Sequence, residues 1–244
     1  MLGGVKNYVV DGATAGLILV VAKTDDGEPG VFAVERTERT DETGKAASGL
    51  EIEQLVTLDQ TRKQARLTLS AVRARRVGHP ATGITAVTAI TRATAVSRAL
   101  LAVEQVGGAQ RCLDVTVRYA RDRIQFGRPI GSFQAVKQRL AEMLILIESA
   151  RSAAYAALDA AAGREAASQE SDLELEHAAA IAALMAAEAY GYVTAQTIQL
   201  HGGIGFTWEH DAHLYFKRAR ASAVLLGTAS ELTDLIGRQL EAIL

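Results

Sequence analysis

The distribution of proline and alanine is the feature that most constrains how this chain folds. Its 244 residues contain three prolines, and only Pro129 lies beyond Pro80. Alanine is abundant in the same part of the chain. Proline interrupts helices because it lacks a backbone N–H and clashes with the preceding turn, whereas alanine has the highest helix propensity. The composition therefore predicts a helical chain beyond Pro80.

Apolar residues at three- and four-residue spacing divide this part into helices. Gly202-Gly203 would stop one helix, and the segment Gly127–Pro129 separates two others. Ser171-Asp-Leu-Glu174 has the pattern of a capping box and would open the third helix. Long helices joined by short loops favour an antiparallel bundle with a four-helix core. The predicted helices are 84–121, 131–163, 172–201, 209–221 and 228–243.

The first 78 residues have a strand-like pattern instead. Leu67, Leu69 and Ala71 alternate with polar residues, which is the period of a half-buried strand. Short runs rich in β-branched residues are separated by Asp11-Gly12 and by the polar segment 25–30, both of which suit tight turns. Residues 35–50 are polar without apolar periodicity and are predicted to form a loop. The runs predicted as strands are 9–10, 17–21 and 31–34.

Charge and cysteine content argue against several functional classes. The chain has 26 basic and 28 acidic residues, so its formal charge of -2 gives no electrostatic reason to expect binding to nucleic acid or an anionic membrane. Cys112 is the single cysteine and the five histidines are scattered, so we expect no disulfide and no metal site. We find no signal-peptide pattern and no apolar run of membrane length, which predicts a soluble cytoplasmic protein.

Two segments carry the functional signal. The first is Arg123-Ile-Gln-Phe126-Gly127, followed by Gln134; the second runs from Gln199 through Gly202-Gly203 to Phe206. Taken singly, an arginine at a helix end is usually only solvated, and a Gly-Gly pair is a common helix C-cap. Together, in this order and in a helical chain, they resemble the flavin-binding segments of acyl-CoA dehydrogenases.

The resemblance runs from about Gly3 to the C-terminus. It implies an α+β, mostly α fold, with a partial antiparallel β-domain over residues 1–80 and an α-helical bundle over 81–244. It also implies FAD as cofactor, held mainly by a neighbouring subunit. In that family the arginine and glutamine of the first segment reach the pyrophosphate and adenosine, and the glycines approach the same dinucleotide. The implied FAD-binding residues are Arg123, Phe126, Gln134, Gln199, Gly202, Gly203 and Thr228.

The chain departs from the family at the catalytic base. The family uses a glutamate to remove the α-proton of the thioester while hydride passes to the flavin. One placement of that glutamate falls on Leu226 and the alternative on Ser97, just before Arg98, which matches an arginine beside the acyl-CoA site. Neither can be a carboxylate base. Glu104 lies two turns beyond Ser97, about 10 Å along an ideal helix and too far to substitute, and Glu231 is expected to be a surface helix residue.

The family's N-terminal helical domain has no counterpart here, because Met1 aligns inside the β-domain; truncation and a naturally short subunit remain equally open. Our leading hypothesis is a subunit for α,β-dehydrogenation of an acyl-CoA, resembling actinobacterial members that pair as heteromers and act on steroid-type thioesters. A partner would then supply the base in a homo-oligomer or a heterotetramer. The alternatives are a catalytically silent structural subunit or remnant that binds no FAD, and an active homomeric dehydrogenase whose base lies elsewhere.

Overall fold

The computed structural model describes residues 1–36, 49–78, 85–162 and 169–241, with side chains from 171 onward in the last range. The chain divides into two compact units, Met1–Ile90 and Thr91–Leu244. The loop predicted over residues 35–50 lies largely outside the described residues. The domain boundary predicted at residues 80 and 81 also lies outside them and stays a prediction.

Two small antiparallel sheets form the first unit. One sheet has the order β1-β5-β4 and the other β2-β3-β6. Apolar residues from both sheets share one buried core, which includes Ile18, Val34, Leu50 and Leu67. The strands are β1 (Leu2–Val10), β2 (Leu17–Lys23), β3 (Pro29–Glu35), β4 (Leu50–Leu55), β5 (Gln64–Val72) and β6 (Arg75–Val77).

The alternating strand predicted near residue 70 is present but ends differently. Leu67 and Leu69 are buried as predicted, whereas Ala71 is exposed and Val72 is buried in its place. Ala71 has a φ of 53°, and at this point the alternation of buried and exposed side chains along β5 shifts by one residue. Because side chains alternate faces along a strand, a one-residue shift reverses which residues face the core. The expectation that Ala71 is buried was therefore wrong.

Five helices account for most of the described part of the second unit, and they confirm the predicted α+β, mostly α fold with ends shifted by a few residues. A 3-10 turn at Ile130–Ser132 delays the start of α2. The third helix begins at Gln169, so Ser171 lies inside it and the predicted capping box does not open that helix. The helices are α1 (Ala86–Asp122), α2 (Gln134–Ala162), α3 (Gln169–His201), α4 (Ala212–Ser222) and α5 (Ala229–Glu241).

Small side chains dominate the core of the bundle. Alanines of α1, α2 and α3 pack together with Met143, Ile147 and Val193, all of which are fully buried. Gly108 shows how close the helices come, because a Cβ at this position would lie 2.7 Å from the ring of Tyr190. The abundant alanine thus serves close helix packing as well as helix propensity.

Two helices, Ala86–Asp122 and Ser171–Phe206, are long and apolar enough to span a membrane when judged by length and composition alone. The core helices of globular proteins pass the same test, and both segments contribute alanines to the buried core of the bundle. The finding is weak evidence for a membrane span and is consistent with helices of a soluble core.

Candidate functional site

The two positions expected for a catalytic base are linked through Arg98, the residue that follows Ser97. The Nε of Arg98 donates a hydrogen bond to the carbonyl oxygen of Leu226 at 2.8 Å, which joins α1 to the loop before α5. Ser97 is exposed on α1, and its hydroxyl donates to the Ala93 carbonyl at 2.7 Å. Leu226 is half-buried. Arg98, next to one placement of the base, therefore contacts the backbone of the other, and neither Ser97 nor Leu226 has a carboxylate.

Gly227 allows this loop to reach Arg98. Its φ is 129°, a conformation that disfavours residues with a Cβ. A Cβ at Gly227 would also lie 3.4 Å from the Arg98 guanidinium and from Leu232. A larger residue here would strain the backbone and press on both neighbours.

A capping box closes the same loop. The backbone N–H and the hydroxyl of Thr228 donate to one carboxylate oxygen of Glu231, at 2.8 and 2.9 Å. The Glu231 N–H donates to the Thr228 hydroxyl at 3.3 Å, so the two residues cap the first turn of α5 reciprocally. Hydrogen bonds from the Thr228 backbone and hydroxyl, with a smaller effect of the Arg98 charge, lower the pKa of Glu231. Glu231 is exposed as expected, but its carboxylate is a helix cap.

Glu104 is held in a different place. Arg218 of α4 donates from its Nε to a carboxylate oxygen of Glu104 at 3.0 Å, and the Arg218 side chain is only 24% exposed. This ion pair directs Glu104 toward α4. The interaction agrees with the distance argument that Glu104 does not substitute for Ser97.

The first flavin-like segment forms a small hairpin after α1. Strands β7 (Ile124–Gln125) and β8 (Arg128–Pro129) pair across a two-residue loop, Phe126-Gly127. Both loop residues have positive φ, 53° and 76°, as the turns favoured in two-residue hairpins require. The Phe126 side chain is 90% exposed. From the sequence this stretch was predicted only as a break between helices, although glycine at the second loop position was a usable signal for a hairpin.

Arg123 and Gln134 flank this hairpin with exposed side chains. The Arg123 N–H donates to the Tyr119 carbonyl, and its own carbonyl accepts from the Ile130 N–H, each at 2.9 Å. Its backbone is thus fixed while its guanidinium faces solvent. Arg128 differs, because its guanidinium stacks over the Phe133 ring at 4.0 Å.

The second flavin-like segment folds as a tight turn at the end of α3. The helix ends at His201, Gly202 has a φ of 64°, and a 3-10 turn spans Gly202–Phe206. A Cβ built on Gly202 or Gly203 meets no described atom within 4 Å, so both glycines border open space. Gln199 is exposed on the last turn of α3.

Ring stacking brings the two segments to the same end of the bundle. Tyr119 lies one turn before Arg123, and its hydroxyl donates to the carbonyl of His201 at 3.2 Å. The rings of Tyr119 and His201 stack with centroids 4.4 Å apart, and His210 packs against His201 at the same distance. These three residues were not predicted as a group from the sequence, and no spacing rule would have joined them.

The group that these segments suit is a phosphate-bearing dinucleotide. Arg123 offers a planar set of N–H donors that matches phosphate oxygens. Gly202 and Gly203 have no side chain and border open space, so phosphate can approach their backbone N–H groups. The residues present therefore fit the pyrophosphate of FAD. Within the described residues, no group of three or more metal-binding side chains occurs.

Comparison with known protein families gives one match of direct relevance. Residues 83–241 match the family described as "Acyl-CoA dehydrogenase, C-terminal domain". The chain belongs to the acyl-CoA dehydrogenase family. The matched part of this family member holds Ser97, Arg98, the hairpin, the glycine turn and Leu226.

Similar proteins include members of the family from mycobacteria. This chain is 44% identical to the acyl-CoA dehydrogenase IpdE2 of Mycolicibacterium smegmatis over 158 residues. The match covers 64% of this chain and 47% of the relative. Two solved structures, a variant of the Tcur3481-Tcur3483 steroid ACAD and the ChsE4-ChsE5 complex of Mycobacterium tuberculosis, are each 32% identical, with TM-scores of 0.81 and 0.79. In both, the match covers 98% of this chain and 59% of the solved chain. The chain spans about half the length of the IpdE2 relatives it matches.

Proposed function

We propose that this chain is the subunit without a catalytic base in a heteromeric acyl-CoA dehydrogenase. The single observation that carries the proposal is the contact between Arg98 and the Leu226 carbonyl, because it links the two base positions while neither Ser97 nor Leu226 has a carboxylate. General-base catalysis needs a group that is ionised and positioned on the proton. In this proposal, a partner subunit supplies that group for its own site.

In the assembled protein, Arg123 binds the FAD pyrophosphate and Gln134 contacts the adenosine. Gln199 and the Gly202-Gly203 backbone line the same dinucleotide, and Phe126 covers it from the hairpin. FAD, when bound, supplies a two-electron acceptor for hydride. Arg98 holds the Leu225–Thr228 loop through the Leu226 carbonyl. In this proposal, Thr228 on that loop contacts the flavin.

Exposed apolar side chains support a partner at this end of the bundle. Phe126, Phe206 and Trp208 are 90, 84 and 79% exposed, which is unusual for large apolar residues of a lone subunit. Two similar solved structures are named as pairs of proteins, the Tcur3481-Tcur3483 steroid ACAD and the ChsE4-ChsE5 complex. We infer a cytoplasmic assembly, a heterotetramer or otherwise a homo-oligomer, that acts on the CoA thioester of a bulky acid such as a steroid side chain.

The test is flavin absorbance and turnover of the chain purified alone and co-expressed with a neighbouring paralogue. We expect negligible dehydrogenase turnover from the chain alone, even with added FAD, and stoichiometric flavin with turnover from the pair. Robust turnover from the chain alone would show that a base lies elsewhere. A stable pair in which no flavin depends on this chain would favour a structural subunit.

A further inference from the structure

The Gly202–Phe206 turn rests on a stack of three rings that the proposed function does not use. His201 is 4% exposed and lies between the rings of Tyr119 and His210, each 4.4 Å away between ring centroids. Its Nδ1 donates to the Thr197 carbonyl at 2.7 Å, since a carbonyl only accepts. A buried histidine that joins α1, α3 and the loop before α4 is placed to control the turn that begins at Gly202.

Close packing against the last turn of α3 fixes the inner side of the Gly202–Phe206 turn. Gly205 is buried, and a Cβ there would lie 2.7 Å from the Ile198 carbonyl and 3.1 Å from the Cβ of His201. In contrast, Phe206 and Trp208 project outward and are largely exposed. The contacts that set the position of the turn therefore include His201 and the last turn of α3.

We propose that His201 is a positioning residue for the Gly202–Phe206 turn, and that its ring, held between Tyr119 and His210, makes this position sensitive to acid. The proposal concerns the turn itself. Only its consequence for FAD rests on the proposed function. His201 contacts neither substrate nor cofactor in this scheme and acts through the backbone of the adjoining turn.

Two neighbouring rings and two hydrogen bonds define the surroundings of the His201 ring. The Nδ1 of His210 accepts a hydrogen bond from the Ala212 N–H at 3.1 Å, which holds this ring at the first turn of α4. Protonating His201 would place a charge in a buried site beside a second imidazole. The titratable groups that contact the His201 ring are Tyr119 from α1 and His210 from the loop.

The direction of the pH effect is set by these surroundings. Burial lowers the pKa of His201, the Thr197 carbonyl partly opposes this, and the nearby His210 lowers it further. A group whose pKa is lowered by folding stabilises the packed state above its ordinary value of 6.5. That stabilisation is lost as the pH falls through the lowered pKa. Acid should therefore loosen the turn while the helices remain.

Trp208 is the single tryptophan and reports on the turn directly. Because its ring also contacts His213 at 4.8 Å, the experiment uses a His213→Phe background in which that histidine no longer titrates. Trp208 emission of the FAD-free chain is recorded from about pH 8 to about pH 5, the range in which histidines change charge. We expect a reversible shift with a midpoint below the ordinary histidine value and unchanged helical circular dichroism.

The matched variant is His201→Phe, which keeps a stacked ring but takes no proton, and it should abolish the shift. His210→Asn removes the neighbouring imidazole and should move the midpoint of the remaining shift upward. Two results overturn the proposal: no shift in the background protein, or the same shift in the His201→Phe variant.

A second readout separates this proposal from the proposed function. In the co-expressed complex, FAD affinity should fall severalfold between about pH 7.5 and about pH 5.5, and His201→Phe should reduce this loss. If FAD affinity falls equally in both proteins, His201 does not set the turn and the proposal fails. If the complex binds no FAD at either pH while Trp208 titrates as expected, the acid-sensitive turn stands and the FAD-binding function fails.

Discussion

Two regions of the helical unit differ in the surroundings of their polar side chains. Around Leu226, Arg98 and Thr228 are engaged by atoms of the chain itself, the Leu226 carbonyl and the Glu231 carboxylate. Around the hairpin and the glycine turn, Arg123, Gln134 and Gln199 expose their side chains. A region whose donors are satisfied internally is structurally complete. A region with exposed donors and exposed aromatic rings has the chemistry to meet another molecule.

Because of this difference, substitutions near Leu226 and near Arg123 should have different effects. Changes near Leu226 add or subtract chemistry at a loop that is already formed, so their effects should appear in turnover or in the stability of α5. Changes near Arg123 leave the chain folded, because its guanidinium is exposed, and should appear in ligand affinity.

The largest expected effect is a gain of turnover from Leu226→Glu. A carboxylate at this position would stand on the loop held by Arg98 and supply the missing general base, which typically contributes about 10²- to 10⁴-fold. We expect that gain in a flavin-loaded complex whose partner has had its own base replaced by glutamine. The measurement is turnover of acyl-CoA with an artificial electron acceptor.

Leu226→Gln is the matched control, since it has nearly the same shape and no basicity. Equal turnover of the two variants would mean that the loop is not positioned for catalysis. The region around Leu226 would then not be one that lacks only a base.

The next effect is on FAD affinity in Arg123→Ala. A guanidinium paired with phosphate makes charge-assisted hydrogen bonds worth roughly 1.5–3 kcal/mol each. Because about 1.4 kcal/mol is a tenfold change, affinity should fall by about one to two orders of magnitude. Flavin fluorescence titration of the co-expressed complex measures this loss.

Two variants sharpen the result. Arg123→Lys should recover part of the affinity, because an ammonium does not bridge two oxygens in one plane. Arg121→Ala, which removes another exposed arginine at the end of α1, should change little. If Arg123→Ala binds FAD as tightly as the parent, the resemblance of this segment is coincidental, and the structural-subunit alternative takes precedence.

Sequence alone predicted the helical bundle because its signals are local. The single proline beyond Pro80, the abundant alanine and the apolar spacing all act within one helix, and the helices lie where they were expected. Failures occurred where the backbone leaves its regular geometry. Ala71 has a positive φ that ends the strand pattern early, and Phe126 has one that forms a hairpin.

In the candidate site, too, local features could be predicted from the sequence and long-range contacts could not. The residues of both flavin-like segments could be named from their resemblance to the family, and their roles stay predictions. The capping box at Thr228-x-x-Glu231 had a readable signature, whereas the signature at Ser171 was misleading because α3 begins earlier. The contact between Arg98 and Leu226 joins residues 128 positions apart, which no local pattern encodes.

A smaller effect is expected from Gly205→Ala. The added Cβ would lie 2.7 Å from the Ile198 carbonyl, so the backbone of the glycine turn must move. Overpacking of this kind typically costs about 1–3 kcal/mol. The free energy of unfolding in urea should fall by about that amount, and Trp208 emission should shift.

Gly203→Ala is the control from the same turn, because its Cβ would meet no described atom within 4 Å. Its effect on unfolding should stay within about 0.5 kcal/mol, as for most open surface positions. Similar losses in the two variants would contradict the view that close packing of Gly205 against Ile198 and His201 fixes the turn.

The smallest effect concerns the internally bonded region itself, through Thr228→Ala. Losing a threonine N-cap typically costs about 0.5–2 kcal/mol, and Thr228→Ser should retain most of it. Because hydrogen bonds from Thr228 lower the pKa of Glu231, the carboxylate stabilises the capped state above its ordinary value of 4.5 and loses this effect as the pH falls below it. The stability difference between parent and Thr228→Ala in urea unfolding should therefore be smaller at about pH 3.5, below the ordinary value of this carboxyl, than at about pH 7. A difference that does not change with pH would mean that the Glu231 carboxylate does not cap α5 in solution. The two regions would then differ less than their hydrogen bonds indicate.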